Sequence, residues 1–433
     1  MAADGQRNIV VIGGGIIGCT SAYFLTRHPA YDPAKHNITL LESTKIAGGA
    51  SGKAGGLLAL WAYPSSIVPL SYRLHQELAD EHGGEERWGY RAVHCGQVDC
   101  KGRHLPAKST PKVDGKDGEM DGENGETKGE RLSLQKRTKE GLGKLRAAGV
   151  PADLDWVAPE ANVRYDEMGD PSTTAQVHPF QFTRAMAELA GEKGADIRTN
   201  ARVKRINYSA GGNAVEGVTY VDNHNGGKEE TIPATDIVVA AGPWTPNILP
   251  QAPISAMRAH SVTIKPSRPV SAYALFTQIQ LPAGFGPAQE SVTSRRRKGG
   301  QQTVTPEIYA RPKNEVYACG EGDRDVPLPE TSDDVLVDER RCQEVVDYVS
   351  SISDELREGV VTARQACYLP NVTSGGGPLV GKVPGVAGLV LAAGHTCWGI
   401  QNGPGTGKVV SEFVWEGVGR SARVGGLDPR NFL

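Results

Sequence analysis

Asn8-Ile9-Val10-Val11-Ile12-Gly13-Gly14-Gly15-Ile16-Ile17-Gly18 is the stretch that decides the fold class of this chain. The unbroken apolar run Ile9 to Ile12 predicts a strand buried on both faces of a parallel sheet. Gly13, Gly15 and Gly18 follow at G-x-G-x-x-G spacing, and Cys19, Ala22, Tyr23, Phe24 and Leu25 predict a helix packed on that sheet. In such a turn the first glycine makes the tight bend. The second lets a pyrophosphate approach backbone N–H groups, and the third lets helix and strand close up. The chain holds 54 glycines, so the spacing alone is weak. A second strand, Asn37 to Leu41, runs into the acid Glu42, which is placed to accept hydrogen bonds from ribose hydroxyls. A glycine-rich turn with no nucleotide is the competing reading, and strand, helix, strand and acid together weigh against it.

Working outward, 433 residues imply two to three domains. Net charge is −3, which gives no general attraction to nucleic acid or to an anionic membrane. No apolar run approaches the roughly 20 residues that span a bilayer. A first strand at residue 8 leaves no room for a leader ahead of it, so a cytoplasmic location is expected. The seven cysteines are odd in number and scattered, and their only close pair is Cys95 and Cys100. Reduced thiols fit this pattern better than a disulfide framework, and no metal site is expected.

Further along, residues 47–56 (Ala-Gly-Gly-Ala-Ser-Gly-Lys-Ala-Gly-Gly) lack side chains where something large must lie against backbone. Helical spacing runs over 65–82, and 88–98 reads as a strand. Residues 107–131 are Lys-, Glu-, Asp- and Gly-rich and predict a disordered surface insertion. A helix is predicted over 180–190, strands over 197–206 and 214–221, and a buried strand, Asp236 to Val239, that enters a second glycine site at Gly242. Arg295-Arg296-Arg297-Lys298 reads as a solvated turn rather than a nucleic-acid patch. A helix is expected over 338–352, a buried strand over 389–393 leading to Gly394, and a helix over 406–416.

Taken together these segments resemble the D-amino-acid oxidase-like (DAO) family of FAD-dependent oxidoreductases. Four of them carry the resemblance: Gly13 to Gly18 with Glu42, Gly48 to Gly56, Ala240-Ala241-Gly242-Pro243-Trp244-Thr245, and Gly394 to Ile400 continuing through Lys408. Pro378-Leu379-Val380-Gly381 adds to it, and Gln365 to Pro370 is spelled like a fungal subgroup. The resemblance implies an α/β protein, a Rossmann-like FAD-binding domain interleaved with a sheet-rich α+β substrate domain. The first would comprise 1–75, 172–250 and 365–433, and the second 76–171 and 251–364. It implies that Gly13, Gly15 and Gly18 hold the pyrophosphate, with Ile16 and Ile17 beside them, and that Glu42 and Ser43 lie at the adenosine ribose. Ala50, Ser51, Lys53, Gly55, Gly56 and Leu57 would line the diphosphate and flavin, and Val203 would meet adenine through its backbone. Ala241, Gly242, Trp244 and Gly394 would lie by the cofactor. Gly399, Ile400 and Gln401 would present N–H groups to the flavin pyrimidine edge, where reduced flavin is negative.

The activity implied is oxidation of a C–N bond of a small amine or amino acid, with hydride passing to FAD. Two other functions stay open at this point: an FAD-binding protein with a structural or trafficking role, and an NAD-dependent dehydrogenase. Some family oxidases place a lysine at the oxygen-reactive flavin face, and here Trp398 aligns with it. Trp398 and His395 are candidate catalytic residues. The family's segment around the carboxylate-binding arginine is degenerate at Leu369-Pro370-Asn371-Val372-Thr373-Ser374, which leaves Arg258 or Arg364 as candidate clamps and Trp61 as a candidate wall. Cys367 lies close to the position where some relatives attach flavin covalently, with a plain buried thiol as the other reading.

Overall fold

The computed structural model describes residues 5–105, 149–285 and 302–433. The 107–131 insertion and the basic run 295–298 lie outside them. A six-stranded sheet is built from β1 (Arg7–Ile12), β2 (His36–Leu41), β8 (Ala195–Arg198), β12 (Asp236–Val239), β19 (Leu379–Lys382) and β20 (Leu389–Ala393). Their order is β19-β20-β12-β1-β2-β8, parallel throughout except for β19. Alternation along β1 explains the layers. Ile9 and Val11 face a helical layer, α1 (Ile16–Leu25), α2 (Val68–His82), α3 (Pro179–Glu192) and α5 (Gly399–Trp415). Val10 and Ile12 face the meander β9 (Ala201–Tyr208), β10 (Val215–Asp222) and β11 (Lys228–Pro233). Burial on both faces is why β1 reads as an unbroken apolar run.

A second, mixed sheet contains β5 (His94–Lys101), β6 (Asn162–Gly169), β13 (Ile254–Lys265), β14 (Tyr273–Leu281), β15 (Gln302–Val304), β16 (Glu307–Arg311), β17 (Glu315–Asp323) and β18 (Val360–Val372). One face packs on α4 (Glu339–Ser350) through Cys342, Val345 and Val349. The other turns toward the first sheet. A small sheet of β3 (Leu57–Ala59), β4 (Arg91–Ala92) and β7 (Thr174–Gln176) bridges the two. The division expected at 364/365 falls inside β18, and Leu78, Ala79 and Trp88, expected with the second sheet, pack in the helical layer of the first.

The last helix begins earlier than 406, directly at Gly399. Gly403, Pro404 and Gly405 read as breakers, yet Gly403 and Gly407 serve a close crossing with α1, and Gly405 one with α2, where a Cβ would sit 3.0 Å from that of Ser71. A Cβ on Gly407 would sit 2.5 Å from the backbone carbon of Thr20, and one on Gly403 2.6 Å from the Ile16 side chain. Pro404 removes the N–H that would bond the Ile400 carbonyl. His75 Nε2 donates to that carbonyl instead, at 3.0 Å. The 88–98 strand is interrupted, because a helical turn ends at Trp88 and pairing starts at Arg91.

Candidate active site

A cavity of about 750 Å³ opens where the carboxyl ends of β1, β12 and β20 meet the second sheet. It lies at the point where strand order reverses between β1 and β12, the place such sheets use for ligands. Of the residues tied to the cofactor by resemblance, all but Gly18 and Gln401 line it.

The glycine turn is built by contact. Gly13 has φ +111°, and a Cβ there would sit 2.4 Å from the carbonyl oxygen of Ala240, the residue just past β12. Gly18 does not line the cavity. A Cβ on it would sit 1.9 Å from Gly13 O, so its role is to let α1 close on the turn. Glu42 is clamped: Gly14 N donates to Oε2 at 2.7 Å and Thr44 N to Oε1 at 2.9 Å. Burial raises its carboxyl against the pull of these two amides. Ser51 Oγ accepts from Ile16 N at 2.9 Å, which ties residues 47–56 to the start of α1. Ala201 N donates to Glu42 O at 2.8 Å, which brings Arg202, Val203 and Lys204 to the same end of the cavity.

The residues fit FAD. The lining runs without a break from Val203 past Gly13 and Ser51 to Trp398, and the Ser43 hydroxyl and both His395 ring nitrogens are buried without protein partners. Such orphaned polar atoms in a cavity wall are what a polar cofactor satisfies. The Gln401 side chain turns to β3, its Oε1 accepting from Ala59 N at 2.7 Å, so the part expected of this residue is its backbone N–H alone.

Period-two alternation on the second sheet decides which side chains reach the far chamber. Glu307 and Tyr309 of β16, Tyr317 and Cys319 of β17, Phe276 of β14, Met257 and Ala259 of β13, and Cys367 and Leu369 of β18 all face it. Tyr63 and Trp398 close it from the other side. The sequence reading missed Glu307, Tyr309, Tyr317, Phe276 and Tyr63. Its available signal was the alternation of Glu307, Tyr309 and Arg311 with apolar Ile308 and Ala310, which bury on the α4 side.

The candidate clamps fall on the wrong face, and both are corrected. Arg258 is 4% exposed and lies on the α4 side of β13, with Nε 3.2 Å from each Asp323 oxygen. Arg364 NH2 donates to Gln343 Oε1 at 2.6 Å and its Nε lies 3.5 Å from Glu339, again on α4. Trp61 is outside the lining. It packs edge-on behind Trp398, ring centroids 5.5 Å apart, and against Phe276. His395 lies in the wall, and burial lowers it to about 3, so it is a neutral imidazole. Burial lowers the Lys53 ammonium, whose Nζ donates to Ala366 O at 2.9 Å, and pushes the Cys367 thiol up to about 11.

His395 joins His75 and His178, each lowered by burial to about 4, as groups neutral in the fold. Unfolded, each titrates near 6.5. Below that pH the unfolded chain binds the extra protons. Stability is therefore complete above about pH 6.5 and falls as pH drops toward 3–4, by up to about 1.4 kcal/mol per pH unit for each histidine. Denaturant midpoints at pH 7, 6 and 5 check this, and a flat profile would contradict neutral burial.

The chain is 36% identical to the Saccharomyces cerevisiae protein TDA3, covering 100% of this chain and 96% of TDA3. It is 35% identical to the Schizosaccharomyces pombe protein C1F5.03c, covering 99% of each. The fold matches the crystal structure of L-proline dehydrogenase from P. horikoshii with a TM-score of 0.67 at 17% identity, over 99% of this chain and 98% of that one. The family model described as FAD dependent oxidoreductase (DAO) matches residues 8–413, and the chain belongs to that family and uses FAD.

Proposed function

We propose that this oxidoreductase oxidises a C–N bond of an amine or amino acid. The observation that carries the reading is the continuity of one cavity from the glycine turn at Gly13 to the chamber at Glu307 and Trp398. The dehydrogenase relative by fold acts on an amino acid, L-proline, which supports the same chemistry. In this reading Gly13, Gly15, Ile16, Ile17 and Ser51 hold the pyrophosphate, Glu42 and Ser43 the ribose, and Val203 the adenine. Residues 50–57, Ala241, Gly242, Trp244, Gly394, Gly399 and Ile400 flank the rest of the cofactor. When bound, FAD supplies a two-electron acceptor for hydride from the carbon next to nitrogen.

The chain's own part is to position the amine, exclude water and hold protons. The Tyr309 hydroxyl, which burial keeps protonated, donates to Glu307 Oε2. Neutral His395 can accept a hydrogen bond at one nitrogen and donate at the other. Trp398 and Tyr63, ring centroids 5.9 Å apart, shield the chamber. Anaerobic mixing of the FAD-loaded protein with a panel of amines and amino acids should bleach the flavin absorbance with at least one. No bleaching with any member would overturn the reading.

Two further expectations belong to it. With Trp398 where family oxidases carry lysine, reoxidation by an artificial dye should outpace reoxidation by oxygen, compared in air and in dye-coupled assays. A thiol raised as Cys367 is makes a poor nucleophile. Acid precipitation should therefore release the flavin, and flavin retained in the pellet would assign Cys367 a covalent link. A cytoplasmic location is part of the same reading. All seven cysteines are free, and no helix among the described residues is long and apolar enough to cross a membrane. Cell fractionation checks it.

A further inference from the structure

We propose that the chamber selects a cationic alkylamine without a carboxylate, received by Glu307 within a box formed by Tyr63, Phe276, Tyr309 and Trp398. The inference rests on the oxidation reading above and narrows its substrate class.

Glu307 is the acidic side chain that β16 turns into the chamber, and burial raises its carboxyl against the pull of the Tyr309 hydroxyl. Its Oε2 accepts from the Tyr309 hydroxyl, and the weak donor Cys319 Sγ stands 4.0 Å away. Among the described residues no ion pair includes Glu307 and no protein donor reaches Oε1. A carboxylate partly enclosed by protein without a cation is costly unless a ligand supplies one.

The box supports the same sign of charge. Phe276 and Tyr309 have centroids 6.2 Å apart, and Trp61 braces both Trp398 and Phe276 edge-on from behind. Aromatic faces attract an ammonium and its N-methyl groups, and offer nothing to an anion.

Among the described residues a substrate carboxylate finds no free arginine here. The lysines in the cavity wall are Lys53, whose ammonium burial lowers, and Lys204 at the Glu42 end. Lys53 donates to Ala366 O, Arg202 pairs with Glu330, and Lys204 shares the Glu42 end with Arg202. Arg258 and Arg364 face α4, and Arg311 is spent on Glu315 and the Ala54 and Gly55 carbonyls. A carboxylate beside Glu307 would meet like charge instead.

The chemistry balances. The entering secondary or tertiary ammonium gives its N–H proton to Glu307 Oε1, which frees the nitrogen lone pair. Bound FAD would supply the acceptor for hydride from the adjacent carbon, and the substrate would then be an iminium ion that water hydrolyses to an aldehyde and the dealkylated amine.

The test uses FAD-loaded protein and a probe that cannot be oxidised. Choline, whose quaternary nitrogen has no lone pair, is titrated against its neutral isostere 3,3-dimethylbutan-1-ol and against benzoate, and binding is read from the flavin difference spectrum. Choline should bind at least ~10-fold tighter than the isostere, with benzoate weakest. Glu307→Gln should remove most of that preference, and Phe276→Leu should weaken choline alone while both variants keep their flavin. Benzoate binding tighter than choline, or an unchanged preference in Glu307→Gln, would overturn the proposal. The choline result stands whether or not any amine is oxidised. Bleaching by amino acids and not by alkylamines would sink this inference and leave the oxidation reading intact.

Discussion

Gly13→Ala should yield a folded, colourless protein whose affinity for FAD is reduced by ~100-fold or more. The backbone at Gly13 has φ +111°, beyond even the left-handed region that an alanine occupies at a cost. The new Cβ would also lie 2.4 Å from Ala240 O and 2.9 Å from Ala240 C, both backbone atoms just past the neighbouring strand. Neither can rotate away, so β1 and β12 must part. Backbone strain of about 1–3 kcal/mol and overpacking of similar size sum to about 2–6 kcal/mol, a range centred above the ~2.7 kcal/mol that corresponds to 100-fold. The damage is confined to the strand ends, since the cores above and below β1 keep their side chains. Far-UV circular dichroism should match the wild type while the flavin band is lost after desalting. A yellow Gly13→Ala protein with one flavin per chain would contradict this account of the turn.

Asp323→Ala should cost about 3–5 kcal/mol of stability and leave ligand binding in the chamber unchanged. Asp323 holds Arg258 at 3.2 Å through both oxygens. It also accepts from Asp325 N at 3.1 Å and lies 3.5 Å from Arg341 Nε. Without it, Arg258 is buried with only the Leu336 carbonyl, 3.4 Å away. Arg258→Met should cost less, because an apolar chain of similar length fills the same volume and Arg341 still faces the carboxylate. Denaturant unfolding of the three proteins measures both effects. The contrary result is informative: a variant of Arg258 with unaltered stability and a raised KM for an amino acid would return that arginine to the substrate.

These two sites differ in how they could be read. The glycine turn is contiguous. Strand, bend and helix onset follow one another within Asn8 to Leu25, and each local preference agrees with the next. Arg258 lies in a strand whose facing depends on partners far away in the chain. β17 places Cys319 opposite Ser261 and Gly322 opposite Ala259, three residues against two. That bulge inverts the alternation, so Tyr317 and Cys319 face the chamber while Asp323 lands beside Arg258 on the α4 side. Nothing in the local spelling of either strand records the extra residue. The helix at Gly399 is a similar case: Pro404 argues locally for a break, and a histidine more than 300 positions away supplies the missing donor.

The dinucleotide cradle was legible along the chain, and the resemblance carried by its four glycine segments implied that the nucleotide is FAD. The cradle depends on glycines and an acid at short, regular spacings, where covalent geometry carries the information. The chamber was settled by the fold: that Glu307, Tyr63, Phe276, Tyr309 and Tyr317 face the cavity and that Arg258 and Arg364 do not. A sheet displays alternate residues on opposite faces, so one bulge or one shift of register reverses every assignment, and the long-range pairing that sets register is settled only when the whole sheet closes.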